Sequence, residues 1–320
     1  MAMHVQPLLI GVDVSKAKLD ICEAQGQPLR QLCNERSAIR AWLKALPGPA
    51  CIAAEATNTF HLLLLEEAHR LGHTVYVIDG YRLNRYRESI GGRAKTDASD
   101  ARLLRRYLER EQADLRPWSP PPKGYVHIQR LLHRRAVLVK SKVALEQSLR
   151  ELPELKRSAK ALMRQLARLD ALIQQRLRQV LEQQGWLAEL KRCQAIEGVG
   201  PLTGAALVMA FNRGPFKSSD AFIAFLGLDV RVRDSGQCRK RRKLTKKGDP
   251  ELRRLLHLAA MRACHTPAWE AFYQRYLDRG LTKIQALVIL ARKLARVAFA
   301  LLKNQTTYRT NALREVCLTT

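Results

Sequence analysis

Every strand signal in the first part of this chain lies ahead of one stiff break, RPWSPPPKG at residues 116–124, and residues 125–190 carry none. Three successive prolines lock φ and cannot continue a helix, so the break reads as a connector. Upstream, PLLIGVDVS is an apolar, β-branched run, and KLDICEAQG alternates after a short turn, so the two read as a hairpin. PLRQLCN reads as a third strand, SAIRAWLKAL as a helix and ACIAAEA as a buried strand. FHLLLLEEAHRLG reads as a helix closed by Gly72, HTVYVID as a further strand, and YRLNRYRESI and the stretch after it as helices. Three strands followed by helical crossovers predict an α/β domain with a mixed sheet, in the ribonuclease-H-like order.

Downstream, Leu155, Leu162, Leu166, Leu169 and Ile173 are spaced seven, four, three and four apart, and Pro153 separates two helical stretches. This predicts a helical hairpin or coiled coil suited to dimerisation, or equally an amphipathic helix packed on its own domain. The expected organisation is 1–115, an α/β domain; 116–190, proline linker and coiled coil; and 191–320, a mostly helical domain.

Charge separates the same regions. Residues 1–120 hold 17 Lys+Arg against 14 Asp+Glu, a net +3, whereas residues 121–320 hold 39 against 15, a net +24. An excess of that size points to a polyanion, most simply nucleic acid, and gives affinity without sequence choice. The seven cysteines are scattered with no C-x-x-C, which speaks against a disulfide framework or zinc site and for a reducing cytoplasm. No apolar run reaches eighteen residues and no charged-then-apolar leader is present, so neither a membrane span nor a secretory signal is expected.

In so basic a chain the acids of GGRAKTDASDARLLRR (91–106) stand out. Asp97 can cap a helix, and Asp100, at its third position, favours the positive end of the dipole. Three apart, they can also point both carboxylates into one site. Asp13 interrupts one apolar strand and Glu55 ends another, where an unpaired charge is costly and where open α/β sheets bind ligands. Four converging carboxylates need cations. Two Mg²⁺ ions about 4 Å apart, or Mn²⁺ in their place, would neutralise them and clamp a phosphodiester. Arg93, Lys95, Arg102, Arg105 and Arg106 would guide the strand. Asp20, also on the hairpin, is a weaker candidate for this site, since on an alternating strand it is expected to face solvent.

CQAIEGVGPLTGAALVMAF (193–211) carries the helix-hairpin-helix pattern, in which Gly198 and Gly200 let backbone N–H groups approach a phosphate; a ligand-free helix–helix turn has the same look. In FLGLDVRVRDSGQCRKRRKLTKKGDPELRRLLHLAA (225–260), Ser235 sits between Arg231 and Arg233 and the cluster Arg239, Lys240, Arg241, Arg242, Lys243, Lys246 and Lys247. A serine there is either an ordinary turn residue or a nucleophile whose transition-state charge the guanidiniums stabilise.

Taken in order, IGVDVS, AAEAT, RAKTDASDARLL, IEGVGPLTGAAL, FLGL and RDSG…KLTKKGDPELRRLL resemble the DEDD-type insertion-sequence transposases related to the Piv DNA invertase, a family that includes bridge-RNA-guided recombinases. The likeness runs from about residue 8 to residue 300. It implies a RuvC-like N-terminal domain, a coiled coil, and a C-terminal transposase domain with a nucleophilic serine. The acidic tetrad falls on Asp13, Glu55, Asp97 and Asp100, and the serine on Ser235. The resemblance further implies Mg²⁺ on the acids, a phosphoserine link to DNA, and a composite site in a dimer or tetramer. A noncoding guide RNA would select donor and target DNA. Thr245 stands where relatives often have serine, an exchange expected to be neutral. Two other functions use the same residues: a RuvC-like nuclease that hydrolyses branched DNA, and a non-catalytic nucleic-acid-binding protein.

Overall fold

The computed structural model describes residues 7–24, 26–57, 59–91, 97–231, 234–235, 238–239 and 242–309, without the side chains of residues 97–98, 234–235 and 238–239. Contacts divide the chain into two compact units, 1–120 and 121–320.

The first unit is built on a five-stranded sheet of order β3-β2-β1-β4-β5, with β1 Leu8–Val14, β2 Lys18–Cys22, β3 Arg30–Cys33, β4 Ala50–Glu55 and β5 Thr74–Ile78. The first three strands pair antiparallel as a meander, and β4 and β5 join β1 in parallel. Parallel pairing requires crossovers, and α1 Arg36–Lys44 and α2 Leu62–Arg70 supply them. α3 Gly80–Ser89 and α4 Asp97–Glu111 follow β5. Each strand and helix expected from the sequence here is present, and the architecture is consistent with a ribonuclease-H-like domain.

Period-two alternation sorts the strand residues between two cores. Ile10, Val12, Val14, Leu19, Ile21, Ile52 and Ala54 pack with Ile39, Trp42, Leu43, Leu64 and Leu65 of α1 and α2. Cys51, Ala53, Tyr76 and Ile78 pack on the other face with Leu83 of α3 and with Leu103, Leu104, Tyr107 and Leu108 of α4. Glu67, fully buried on α2, accepts hydrogen bonds from Arg36, Arg40 (2.7 Å) and Arg70 (2.5 Å) and so ties α1 to α2. The connector is fastened at its tryptophan: the Trp118 N–H donates to Val75 O at 2.6 Å, and its ring meets His69 edge-on.

α4 lies directly across β1 at Gly11. A Cβ there would stand 2.1 Å from Ala101 O and 2.4 Å from Arg105 N, both backbone atoms that cannot step aside alone. The Arg105 Nε donates to Leu9 O at 3.1 Å and fastens the crossing from the helix side.

The second unit is helical. α5 Lys123–Ser148 and α6 Lys156–Gln183 form an antiparallel pair, with Gly124 beside Gln184 and Arg135 bonded to Asp170 at 2.7 Å. The turn between them contains Pro153, as the sequence predicts. α7 Leu187–Gln194, α8 Pro201–Phe211, α9 Ser219–Phe225, α10 Pro250–Ala263, α11 Glu270–Asp278 and α12 Lys283–Asn304 complete the unit. The root of the α5–α6 pair, including Ile128, Leu132, Leu177 and Leu181, shares one core with α8, α10 and α12. Toward the start of α6, Leu162 and Leu169 stay exposed, as does Leu155 just before the helix, at intervals of seven. No helix among the described residues is long and apolar enough to cross a membrane.

Gly11→Ala is expected to lower the unfolding free energy by about 1–3 kcal/mol, the usual cost of overpacking, because α4 must retreat from β1. A urea titration followed by circular dichroism measures it.

Candidate functional site

β1 and β4 run in parallel register from Leu8 opposite Ala50 to Val12 opposite Ala54, so the next positions, Asp13 and Glu55, are neighbours across the pair. The alternation that turns Val12 and Ala54 toward α1 and α2 turns Asp13 and Glu55 to the α4 face, at the C-terminal ends of their strands. Asp20 stands directly opposite Asp13 on β2. The expectation that Asp20 faces solvent is corrected: it is 5% exposed, accepts from Gln31 Nε2 at 2.6 Å and lies 3.2 Å from Lys18 Nζ. α4 packs on this face of β2, with β3 alongside, and alternation alone could not reveal that cover. Three carboxylates therefore run in one row across the centre of the sheet.

The Gly11 crossing brings the start of α4 over this row, since Asp100 precedes Ala101, the residue that touches β1. Asp100 is buried and is held by two side chains. Its Oδ1 accepts from Arg87 Nη2 at 2.6 Å and from Ser99 Oγ at 3.2 Å. Asp97 is the first residue of α4, and its side chain lies outside the described residues. Glu55 lies over the start of α3, where a Cβ on Gly80 would meet its Oε1 at 2.4 Å. That places the carboxylate at the positive end of the α3 dipole.

Arg87 is absent from the sequence reading, where it is one of several arginines on a polar helix. Its side chain is 11% exposed and that of Asp100 is 9% exposed, so the pair is buried and each charge depends on the other. The only sequence signal that could find it is its place on the helix following β5, next to the site.

The donor set suits a hard divalent ion, since Asp13, Glu55 and Asp100 offer only oxygen. Among the described residues no three such groups close around a single point, and Asp97 is outside that test. Asp13 and Glu55 both have further partners within the chain. In the metal-free chain, Arg87→Met is expected to cost about 3–5 kcal/mol by leaving Asp100 uncompensated, and Asp100→Asn in the same chain to recover part of it. A double-mutant cycle in denaturant measures the coupling.

In the second unit the basic segment forms a two-tier arm. β6 Val230–Arg231 pairs antiparallel with β9 Lys243–Leu244, and nested within it β7 Asp234–Ser235 pairs with β8 Cys238–Arg239. Ser235 is therefore a strand residue opposite Cys238, with Gly236 and Gln237 between them in sequence. The side chains of Ser235 and Arg239 are outside the description, as are Arg93, Lys95, Arg233, Lys240 and Arg241 altogether. Arg231, Arg242, Lys243, Lys246 and Lys247 are exposed, and so are Arg102 and Arg106 on α4. Arg105 is half-buried on Leu9 O.

The two helix-hairpin-helix glycines differ. Gly198 has φ +88, and a Cβ there would meet Ala259 O and Ala263 Cβ at 2.6 Å, so packing against α10 accounts for it. Gly200 is exposed, has open space around its Cα and caps α8, with Pro201 at the first helical position. Of the pair, Gly200 is the one that a phosphate can approach.

With this geometry in hand, comparison with known proteins is informative. A model described as Transposase, of the DEDD type from IS110 elements, matches residues 10–155. A second, described as Transposase IS116/IS110/IS902 family, matches residues 190–274. The chain is 26% identical to the pilin gene-inverting protein of Moraxella bovis over 92% of this chain and 95% of that protein. It is 28% identical to a probable family 20 transposase of Pseudomonas aeruginosa over 88% and 91%. It is 24% identical to an uncharacterized 44.8 kDa protein of insertion element IS116 from Streptomyces clavuligerus over 88% and 87%. The first match covers the sheet with its row of acids and the second covers the serine-bearing arm, so the chain carries two transposase domains of the IS110/IS116/IS902 family.

Proposed function

We propose that this chain cuts and rejoins DNA through a covalent phosphoserine link on Ser235, with divalent metal held by Asp13, Glu55, Asp97 and Asp100. The observation that carries the reading is the strand register that makes Asp13 and Glu55 neighbours on the face crossed by the start of α4. Acids so close in a chain of net charge +27 repel both each other and DNA unless cations join them. Bound there, Mg²⁺ or Mn²⁺ would supply Lewis-acid stabilisation of a phosphodiester.

The protein's own residues do the rest. The Ser235 hydroxyl attacks phosphorus. A Ser–O–P bond forms, the phosphodiester P–O bond breaks, and the proton lost by serine ends on the deoxyribose hydroxyl that is released. The reverse attack by the hydroxyl of a second strand rejoins DNA without loss of nucleotides. Arg231, Arg242, Lys243, Lys246 and Lys247, exposed on or near the arm, would neutralise the backbone phosphates.

The same reading includes a guide RNA, supported by the net +24 beyond residue 120, and a dimer or tetramer with acids and serine contributed by different subunits. Leu155, Leu162 and Leu169, exposed at heptad spacing, support the oligomer.

The test uses full-length protein with its copurifying RNA and a DNA bearing the ends of the element that encodes the chain. Denaturing gels are expected to retain protein on DNA for the wild type and to lose that adduct in Ser235→Ala, with DNA retention on filters unchanged. Adducts in the variant would remove the serine from this role, and free strand ends without adducts would mark a hydrolytic nuclease. Asp13→Asn, Asp97→Asn and EDTA are each expected to reduce adduct formation by at least about 100-fold at saturating DNA, the scale of a lost transition-state contact. Full activity in EDTA would exclude the metal.

A further inference from the structure

The motifs FLGL and KLTKKGD flank the serine-bearing arm, and the function above gives no role to Gly227, Thr245 or Gly248 within them. Structurally they form the root of the arm, joined at three successive levels. Outermost is the β6–β9 pairing, Val230 opposite Leu244 and Arg231 opposite Lys243. Below it the Thr245 N–H donates to Asp229 O at 3.0 Å, and the Thr245 hydroxyl donates to Asp229 Oδ1. Innermost, two glycine backbones touch: a Cβ on Gly227 would lie 2.4 Å from Gly248 N, and one on Gly248 would lie 2.4 Å from Phe225 O.

Each level depends on a specific residue type. Gly227 has φ +68, and only a residue without a Cβ fits both that conformation and that approach. Lys246, at φ 57, turns the chain between Thr245 and Gly248. The Arg253 guanidinium on α10 holds the Gly248 carbonyl. Asp229 lies within electrostatic reach of Arg292 on α12, where burial and Arg296 lower the guanidinium pKa and Asp220 and Asp229 oppose them. The root is thus tied to two core helices.

Strands of two residues are too short to be stable alone, so the arm depends on its root. Its direction is therefore set at the root. Ser235 is four residues past Arg231, up to about 13 Å along an extended chain, so a tilt of about 10° at the root displaces it by about 2 Å. A misplacement of 1 Å at a reacting group can cost about 100-fold in rate.

We infer that Thr245 is a positioning residue: its hydroxyl bond to the Asp229 carboxylate aims the arm that carries Ser235. The inference rests on the assignment of Ser235 as nucleophile. Its chemistry requires a hydroxyl on residue 245 and is indifferent to the methyl, so threonine and serine should be equivalent and valine, the same shape without the donor, should not.

The experiment compares Thr245→Val and Thr245→Ser in the full-length protein with two readouts, amide hydrogen exchange over residues 230–244 and the adduct assay with copurifying RNA and element-end DNA. Thr245→Val is expected to exchange faster at the Val230–Leu244 pairing and to form adducts at least about tenfold more slowly, with filter retention of DNA and the thermal midpoint close to wild type. Thr245→Ser is expected to match the wild type in all of these. Wild-type adduct rates in Thr245→Val would overturn the inference, and so would a serine variant as impaired as the valine one. Failure of the nucleophile assignment registers separately, as adducts that persist in Ser235→Ala whatever residue stands at 245.

Discussion

The crossing of α4 over β1 at Gly11 is the contact on which the rest of the first unit depends. β1 is the central strand, hydrogen-bonded to β2 on one side and β4 on the other, and one face of it has room for a helix backbone only because position 11 has no side chain. That approach sets the start of α4, with Asp100 on its first turn, over the row formed by Asp20, Asp13 and Glu55. A wider spacing would keep the apolar contacts of Leu104 and Leu108 in weakened form and separate the carboxylates.

Charge is handled differently in the two units. In the first, acids are gathered and three buried ones have counterparts in the fold: Arg87 for Asp100, Lys18 for Asp20, three arginines for Glu67. Burial makes such compensation obligatory, since an isolated carboxylate in the interior would take up a proton instead. In the second unit the cations outnumber the acids by 24 and many point to solvent, which is the arrangement that a polyanion can neutralise.

How far the sequence could be read depended on whether a signal was local. Strand alternation and helix periodicity located every element of the first unit, because each is set by which side of a short segment is apolar. Asp13 and Glu55 were visible as charges inside apolar runs. Asp20 was misjudged since exposure of an alternating strand depends on what lies beside it, here β3 and Gln31. Arg87 looked like any other arginine on a polar helix. Gly198 and Gly200 looked alike within one motif, yet one packs on α10 and the other caps α8 in the open. The serine-bearing segment read as a turn, and its two tiers of pairing join residues up to fourteen apart.

Sequence alone determined the order of strands and helices, the break at the prolines, the uneven charge and the acids lodged in apolar strands. These are written in spacing and composition, which act over a few residues. Tertiary structure alone decided which acids become neighbours, which arginine compensates Asp100, and where the arm is rooted. Those relations join residues 13 with 55, 87 with 100 and 229 with 245. The physical reason is that sheet register and close backbone approach act between distant segments, so neither exists until the chain has folded around them.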